Sequence, residues 1–309
     1  MNIVQGIFLK AKKFATGSQE QDIYAAPFIS AAECHGCASP CLEEDHPHYP
    51  SFLKINQDRP LLYSVKPYMR HVLISTGQED WEPHIDGDKN SLAYHLSKAI
   101  NDGQTKVKDG NGNKEPGRIL LTNSSRKAEN WNGPGWQVVI LPDQIVVDNV
   151  TPEQCSDFFE AFLKPEIGSV TLDTDNESQV HARATRFTAK RWLPKAAIMI
   201  CSHKKRDKRC GVTAPILRKE FIRVLRSKDM YGDCKGDVEI WMISHIGGHK
   251  FAGNVIVHRS EGQAVWYGRV EPCHSQAIVE ATIERGEVIR ELYRGSMNGS
   301  FNQEKKTAW

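Results

Sequence analysis

The chain has 309 residues, 39% of them hydrophobic and 25% charged, and a formal charge of +2 at neutral pH. So small a charge offers no case for a nucleic-acid or membrane-surface partner, and no apolar stretch approaches the ~20 residues that a membrane span needs. A soluble globular chain of this length forms a sizeable core and is expected to divide into two domains.

Residues 1 to about 30 read as a flexible leading segment with a short helix over the first dozen, too polar for a secretory signal. Lys10, Lys12 and Lys13, with no acid before Glu20, keep a mitochondrial presequence open beside the cytoplasmic location otherwise expected. Cys34, Cys37 and Cys41 follow in a C-x2-C-x3-C run, with His46 and His48 just beyond. Eight cysteines in a chain this long do not make a disulfide scaffold. Their clustering points to metal or redox chemistry in a reducing compartment. The run itself admits three readings: a structural metal site completed by His46 or His48, redox thiols, or a thiol-rich loop with no defined role.

From residue 66 the elements alternate. His71–Ser75 reads as a buried strand, and Ser91–Ile100 as an amphipathic helix with Leu92, Leu96 and Ile100 available for packing. Arg118–Thr122 is a further strand, and Trp136–Leu141 and Gln144–Val147 are two more, joined at Pro142-Asp143. Thr151 with Gln154 three positions on marks the start of a helix running to Leu163, on which Cys155 reads as packed. Asp109-Gly110-Asn111-Gly112-Asn113 is a turn-rich loop and no phosphate cradle, because no helix follows it.

The second half restarts near Arg183. Ala196–Ile200 is a strand, Pro215–Arg226 a helix with proline in its first turn, and Val238–Ile243 a strand. Gly253–His258 and Ala264–Val270 read as a hairpin whose Trp266 and Tyr267 are core, and Gln276–Arg285 as the last helix. The order β-α-β-β-β-α thus occurs twice. The expected fold class is α/β, with two α/β sandwich domains: 66–182 and 183–300, between a Cys-rich segment 1–65 and a tail 301–309.

Four residues in the second half have the chemistry of metal ligands. Cys201 and Cys210 are spaced C-x8-C, His245 and His249 are spaced H-x3-H, and each pair follows an apolar strand. Ligands just beyond strands are held by a rigid sheet and can converge on one centre. A tetrahedral Cys2His2 zinc site is one reading. A Rieske centre fits poorly, because Cys210 is followed by Gly211, Val212 and Thr213 where a C-x2-H half is required. His203 therefore reads as a supporting or surface residue. Cys234 and Cys273 lie outside the pattern. Gly247 and Gly248 allow a sharp turn and a close approach of backbone to an inorganic group.

The stretch Ile200-Cys201-Ser202-His203, the C-x8-C spacing, Arg206-Asp207-Lys208-Arg209-Cys210-Gly211 and His245-Ile246-Gly247-Gly248-His249-Lys250-Phe251-Ala252 resemble the Apd1/Aim32-like proteins of the sucrase/ferredoxin-like family. The resemblance is concentrated between about 195 and 270. It implies a thioredoxin-like fold for both domains, the first degenerate and the second a thioredoxin-like ferredoxin. It also implies a non-Rieske [2Fe–2S] cluster held by Cys201, Cys210, His245 and His249. One-electron transfer coupled to protons would follow, with a flavoprotein-type reductase as donor; Lys204, Lys205, Arg206, Lys208 and Arg209 read either as a solvated loop or as a basic patch that stabilises the reduced cluster and docks an acidic donor. Trp309 resembles the terminal signal read by the cytosolic iron–sulfur targeting complex, and the family has cytosolic and mitochondrial members. The alternatives are a binding protein with structural zinc at the same four residues, and a thiol oxidoreductase using Cys34, Cys37 or Cys41. No Ser/His/Asp constellation, paired-carboxylate motif or P-loop points to a hydrolase. The chain reads as an electron carrier rather than a stand-alone enzyme.

Overall fold

The computed structural model describes residues 28–29, 46–66, 68–110, 117–128, 133–170, 172, 180–181, 187–232, 234 and 236–297. Cys34, Cys37, Cys41, Asn111, Trp309 and the lysines of the leading segment lie outside the described residues.

The architecture is mixed α/β, as expected, and its strands belong almost wholly to one sheet. In chain order the strands are β1 (Phe28–Ile29), β2 (Arg70–Ser75), β3 (Ile119–Ser124), β4 (Trp136–Leu141), β5 (Ile145–Val150), β6 (Val180–His181) and β7 (Thr188–Arg191). They continue as β8 (Ala196–Cys201), β9 (Val238–Ile243), β10 (Val255–Arg259), β11 (Ala264–Tyr267), β12 (Val288–Ile289) and β13 (Tyr293–Ser296). Among the described residues, four longer helical runs accompany them, α1 (Leu92–Gly110), α2 (152–163), α3 (Lys208–Ser227) and α4 (274–285), with single 3-10 turns at His249–Phe251 and Arg290–Leu292. Among the described residues, none of these is long and apolar enough to cross a membrane.

The first half runs β2-α1-β3-β4-β5-α2 and the second β8-α3-β9-β10-β11-α4. In each, the first two strands are parallel and the next two add on antiparallel, giving the spatial orders β3-β2-β4-β5 and β9-β8-β10-β11. Each is extended by a strand after its last helix, β7 on β5 and β13 on β11. The halves join in a single 11-stranded sheet where β3 meets β9. That seam is polar: the backbone N–H of Ser125 donates to Met242 O (2.8 Å) and that of Ser244 to Asn123 O (3.0 Å). The two serine hydroxyls then accept from the N–H groups of Asn123 (3.0 Å) and Met242 (2.9 Å).

Side-chain alternation along the strands sorts the core into three layers. Val72, Ile74 and Val138 pack with α1 and α2, while Ile198, Ile200 and Val255 pack with α3 and α4. The opposite faces of both halves meet one another: Leu73 and Val139 share a cluster with Met199, Ile256 and Trp266. Both faces of the strands are therefore buried, which is why they read as near-continuous apolar runs.

Four elements differ from the sequence reading. Helix α1 does not stop at Ile100, because the Asp102-Gly103 pair is no terminator: a Cβ at residue 103 would overlap the ring of Phe159, so glycine is needed for helix contact. Helix α3 begins at Lys208, capped by Asp207, and not at Pro215, which lies inside it. Cys210 is thus in the first helical turn and not in a loop. The short strands β7 and β13, polar or glycine-bearing, carry no alternating apolar signal. Elsewhere the Thr151 start holds, its N–H donating to Gln154 Oε1 (3.1 Å), and the hairpin β10-β11 buries Trp266 and Tyr267.

The central layer contains two buried histidines, His71 and His258, each with an unpartnered Nδ1; Nε2 of His71 bonds Thr122 Oγ1 (2.8 Å). Burial pushes both imidazoles down to about 3. Between that value and the ordinary ~6.5 the unfolded chain binds protons that the folded chain does not, so stability falls with falling pH. Each histidine is expected to contribute a slope of up to ~1.4 kcal/mol per pH unit. Urea unfolding of His258→Leu between pH 7 and pH 5 is expected to show a shallower loss than the parent protein; an unchanged slope would contradict the assignment.

Candidate metal centre

Parallel pairing of β8 with β9 sets Cys201 opposite Ile243, so the chain leaves both strands at the same end of the sheet. Cys201 is the last residue of β8, buried, and its N–H donates to Asn254 O (3.0 Å). Two residues on, His203 is buried and accepts the N–H of His245 at Nδ1 (3.1 Å). Its Nε2 must then carry the hydrogen and donates to the carbonyls of Trp81 and Glu82 (2.9 Å each). His203 is not a surface residue: it ties the histidine loop to the first half. Asp207 accepts the N–H of Arg209 (2.9 Å), which starts α3 and fixes Cys210 one turn in.

The sulfurs of Cys201 and Cys210 interact directly. The hydrogen bond from Cys210 holds Cys201 well below the usual thiol range, helped by the His245 ring and the Ile246 N–H against the effect of burial. The same bond, together with burial, pushes Cys210 up. The two thiols therefore differ in acidity, with Cys201 the readier of the pair to ionise. His245 and His249 lie with ring centroids 5.2 Å apart and planes tilted by 37°. Nδ1 of His245 is buried and unpartnered. His249 is 46% exposed at the side chain, and its Nε2 lies 4.0 Å from Asp207 Oδ2. Burial lowers the proton affinity of His249, opposed by the Asp207 carboxylate.

Two positive-φ glycines separate the histidines, Gly247 at 82° and Gly248 at 72°. A Cβ on Gly247 would meet nothing within 4 Å, whereas one on Gly248 would overlap the guanidinium of Arg294. The turn thus needs both glycines for conformation, and the second also for space.

The four residues singled out from sequence therefore lie at one corner of the sheet, the thiols as one pair and the imidazoles as another. Among the described residues, no three His, Cys, Asp or Glu side chains are gathered as a single metal ion would require. Two soft sulfurs, two borderline nitrogens and an orphaned buried Nδ1 are nevertheless a donor set that fits a two-metal group taking one pair on each metal. Of the other described cysteines, Cys155 is buried in the first half, and Cys234 and Cys273 are exposed. His46 bonds Glu220 (2.9 Å), and the cysteine run it was read with lies outside the described residues.

Sequence reasoning missed the surroundings. Asp207 stood in a quoted motif with no role attached, although an acid before a helix is a capping signal. Arg294 had no signal, since its strand β13 is short and carries no apolar pattern. The loop 79–82, which binds Ser202 through Glu79 O (2.6 Å), and Ser64, which binds Arg294 (3.0 Å), had none. Of the basic stretch, Lys205 pairs with Glu82, Arg206 reaches Pro83 O (3.2 Å) and Arg209 pairs with Asp207 (2.8 Å), so much of its charge is met within the chain.

A sequence model described as sucrase/ferredoxin-like matches residues 61–295. Actin patches distal protein 1 of Saccharomyces cerevisiae is 32% identical over 285 residues, covering 87% of each chain. Altered inheritance of mitochondria protein 32 is 46% identical over 103 residues in Meyerozyma guilliermondii, covering 33% of this chain and 35% of that protein. Its counterpart in Clavispora lusitaniae is 48% identical over 103 residues, covering 33% and 36%. The chain thus spans about a third of the length of these two relatives. No solved structure matches.

Replacing His203 by alanine removes the buried acceptor of the His245 N–H and the link to the Trp81 and Glu82 carbonyls. The expected cost is ~1–3 kcal/mol of unfolding free energy, read by denaturant titration of the metal-free protein; no loss would mean the link does not hold the loop.

Proposed function

The chain belongs to the sucrase/ferredoxin-like family, and on that premise we propose that it is an electron carrier whose Cys201, Cys210, His245 and His249 hold a [2Fe–2S] cluster. The observation that carries this reading is the gathering of two thiols and two imidazoles, in pairs, at one end of β8 and β9. Pairwise gathering favours a two-metal group over a single tetrahedral zinc. When bound, such a cluster supplies a one-electron couple whose potential is raised by neutral imidazoles in place of thiolates.

The chain's own residues divide the remaining work. Cys210, His245 and the Ile246 N–H stabilise the Cys201 thiolate, the form a metal takes. His203 holds the His245 backbone, and the unpartnered Nδ1 of His245 has a lone pair to give. His249 is the exposed member, hence the edge at which a donor docks, and its Nε2 beside Asp207 can hold a proton when an electron arrives. The donor suited to this edge is a flavoprotein-type reductase with an acidic face, met by exposed Lys204 and Lys208.

The finer architecture belongs to the same reading: two thioredoxin-like units, 66–182 without ligands and 183–300 as the ferredoxin. So does a cytoplasmic site of action with Trp309 as a targeting tail; the names of two relatives refer to mitochondria, the competing location.

The test is the visible spectrum of anaerobically purified protein before and after dithionite, with iron, zinc and sulfide assayed together. About two irons and two sulfides per chain, a red-brown colour that bleaches on reduction, and loss of both in Cys201→Ser are expected. Colourless protein with stoichiometric zinc, even after reconstitution with iron and sulfide, would replace the electron carrier by a structural zinc protein.

A further inference from the structure

Arg294, in β13, is 1% exposed. Its guanidinium lies over the rings of Phe251 and Trp266, 5.4 and 5.7 Å from their centroids. Its hydrogen bonds all go to neutral acceptors: Nε to Ser64 Oγ (3.0 Å), Nη1 to Asn254 Oδ1 (2.8 Å) and Gly247 O (3.3 Å), and Nη2 to Ser64 O (3.3 Å). Arg70 shows what a buried arginine ordinarily has in this fold, a two-pronged bond to Asp143 at 2.8 and 3.0 Å. Among the described residues, no carboxylate pairs with Arg294.

A buried cation with no anion is costly, and retaining one calls for a compensating charge. Among the described residues, the groups whose ionised forms would offset the charge of Arg294 are the thiols of Cys201 and Cys210. Burial lowers its pKa to about 10, and those two sulfurs oppose that fall. Its position against Gly247 O and the face of Gly248 puts its charge directly on the turn between the histidines.

We propose that Arg294 is the counter-charge built into the metal centre, a positioning residue that favours the reduced state and so raises the reduction potential. The proposal rests on the [2Fe–2S] reading. Two thiolates balance the 2+ charge of an oxidised [2Fe–2S] core, and neutral imidazoles add nothing, so the oxidised centre is neutral. One electron from the donor, with no bond made or broken in the protein, leaves one negative charge beside the guanidinium. Coulomb attraction in a buried setting then favours reduction. The same charge selects for an anionic occupant: a centre that never becomes negative gains nothing from it.

The experiment is a dye-mediated redox titration of loaded protein, comparing the parent with Arg294→Lys and Arg294→Met, together with thermal melts of the metal-free forms. Arg294→Met is expected to shift the midpoint potential downward, and Arg294→Lys, which keeps the charge, to restore most of the shift. The metal-free Met variant is expected to melt at or above the parent, because the uncompensated charge is gone. If Arg294→Met does not load, Asn254→Asp serves instead: it pairs the guanidinium with a carboxylate, at the cost of the Asn254 Nδ2 bond to Gly248 O (3.0 Å), and is expected to lower the potential. An unchanged potential in whichever neutralised variant loads would overturn the role of Arg294 and leave the electron carrier standing. Parent protein that takes up no iron and sulfide would fell the electron-carrier reading, and the proposal with it.

Discussion

The parallel register of β8 and β9 is the constraint on which the site depends. Two parallel strands joined by a helical crossover must end at the same side of the sheet, and the crossover helix must begin there too. Cys201 at the end of β8, Cys210 in the first turn of α3 and the histidine loop after β9 are therefore brought together by topology alone. The ends of parallel strands are where α/β sheets commonly bind ligands, and here that end is supplied with sulfur and nitrogen donors. Among the described residues, nothing comparable stands at the matching corner of the first half, where β2 ends in Ser75 and β3 in Ser124.

The first half contributes differently. The residues after β2 wrap the site from outside, with Trp81 and Glu82 carbonyls on His203 and Glu79 O on Ser202. The stretch ahead of β2 covers another side, with Asn56 N–H on Lys250 O (2.9 Å), Lys54 O near Arg209 (3.4 Å) and Ser64 on Arg294 (3.0 Å). Most polar groups around the candidate ligands are thereby satisfied, while His245 Nδ1 is buried without a partner, as a pre-organised donor would be. Arg294 and the orphaned His245 Nδ1 are two sides of one observation: a charge and a lone pair held ready inside a finished fold.

Much of this was legible in the chain. Strands buried on both faces announce themselves as apolar runs, and the doubled βαβββα order follows from their sequence. The candidate ligand residues, which the fold brings to one corner of the sheet, were legible because cysteine and histidine at such spacings are chemically distinctive. The single sheet was not, because its seam is made by backbone groups and the hydroxyls of Ser125 and Ser244, which leave no hydrophobic trace. Local rules misplaced two helix ends for a related reason. Gly103 and Pro215 look like punctuation, yet one makes room for Phe159 and the other is carried within a helix already started by Asp207. Arg294 shows the same limit: its partners lie 40 or more residues away in sequence, beyond any local pattern.

The central claim is that the cysteine pair and the histidine pair serve different metals of one centre. Mössbauer spectroscopy of protein loaded with ⁵⁷Fe tests it most directly. Two iron sites of equal area are expected, one with the parameters of sulfur coordination and one shifted by nitrogen ligands, the latter alone becoming ferrous on one-electron reduction. Two equivalent irons, or iron bound only as isolated ions, would contradict the account.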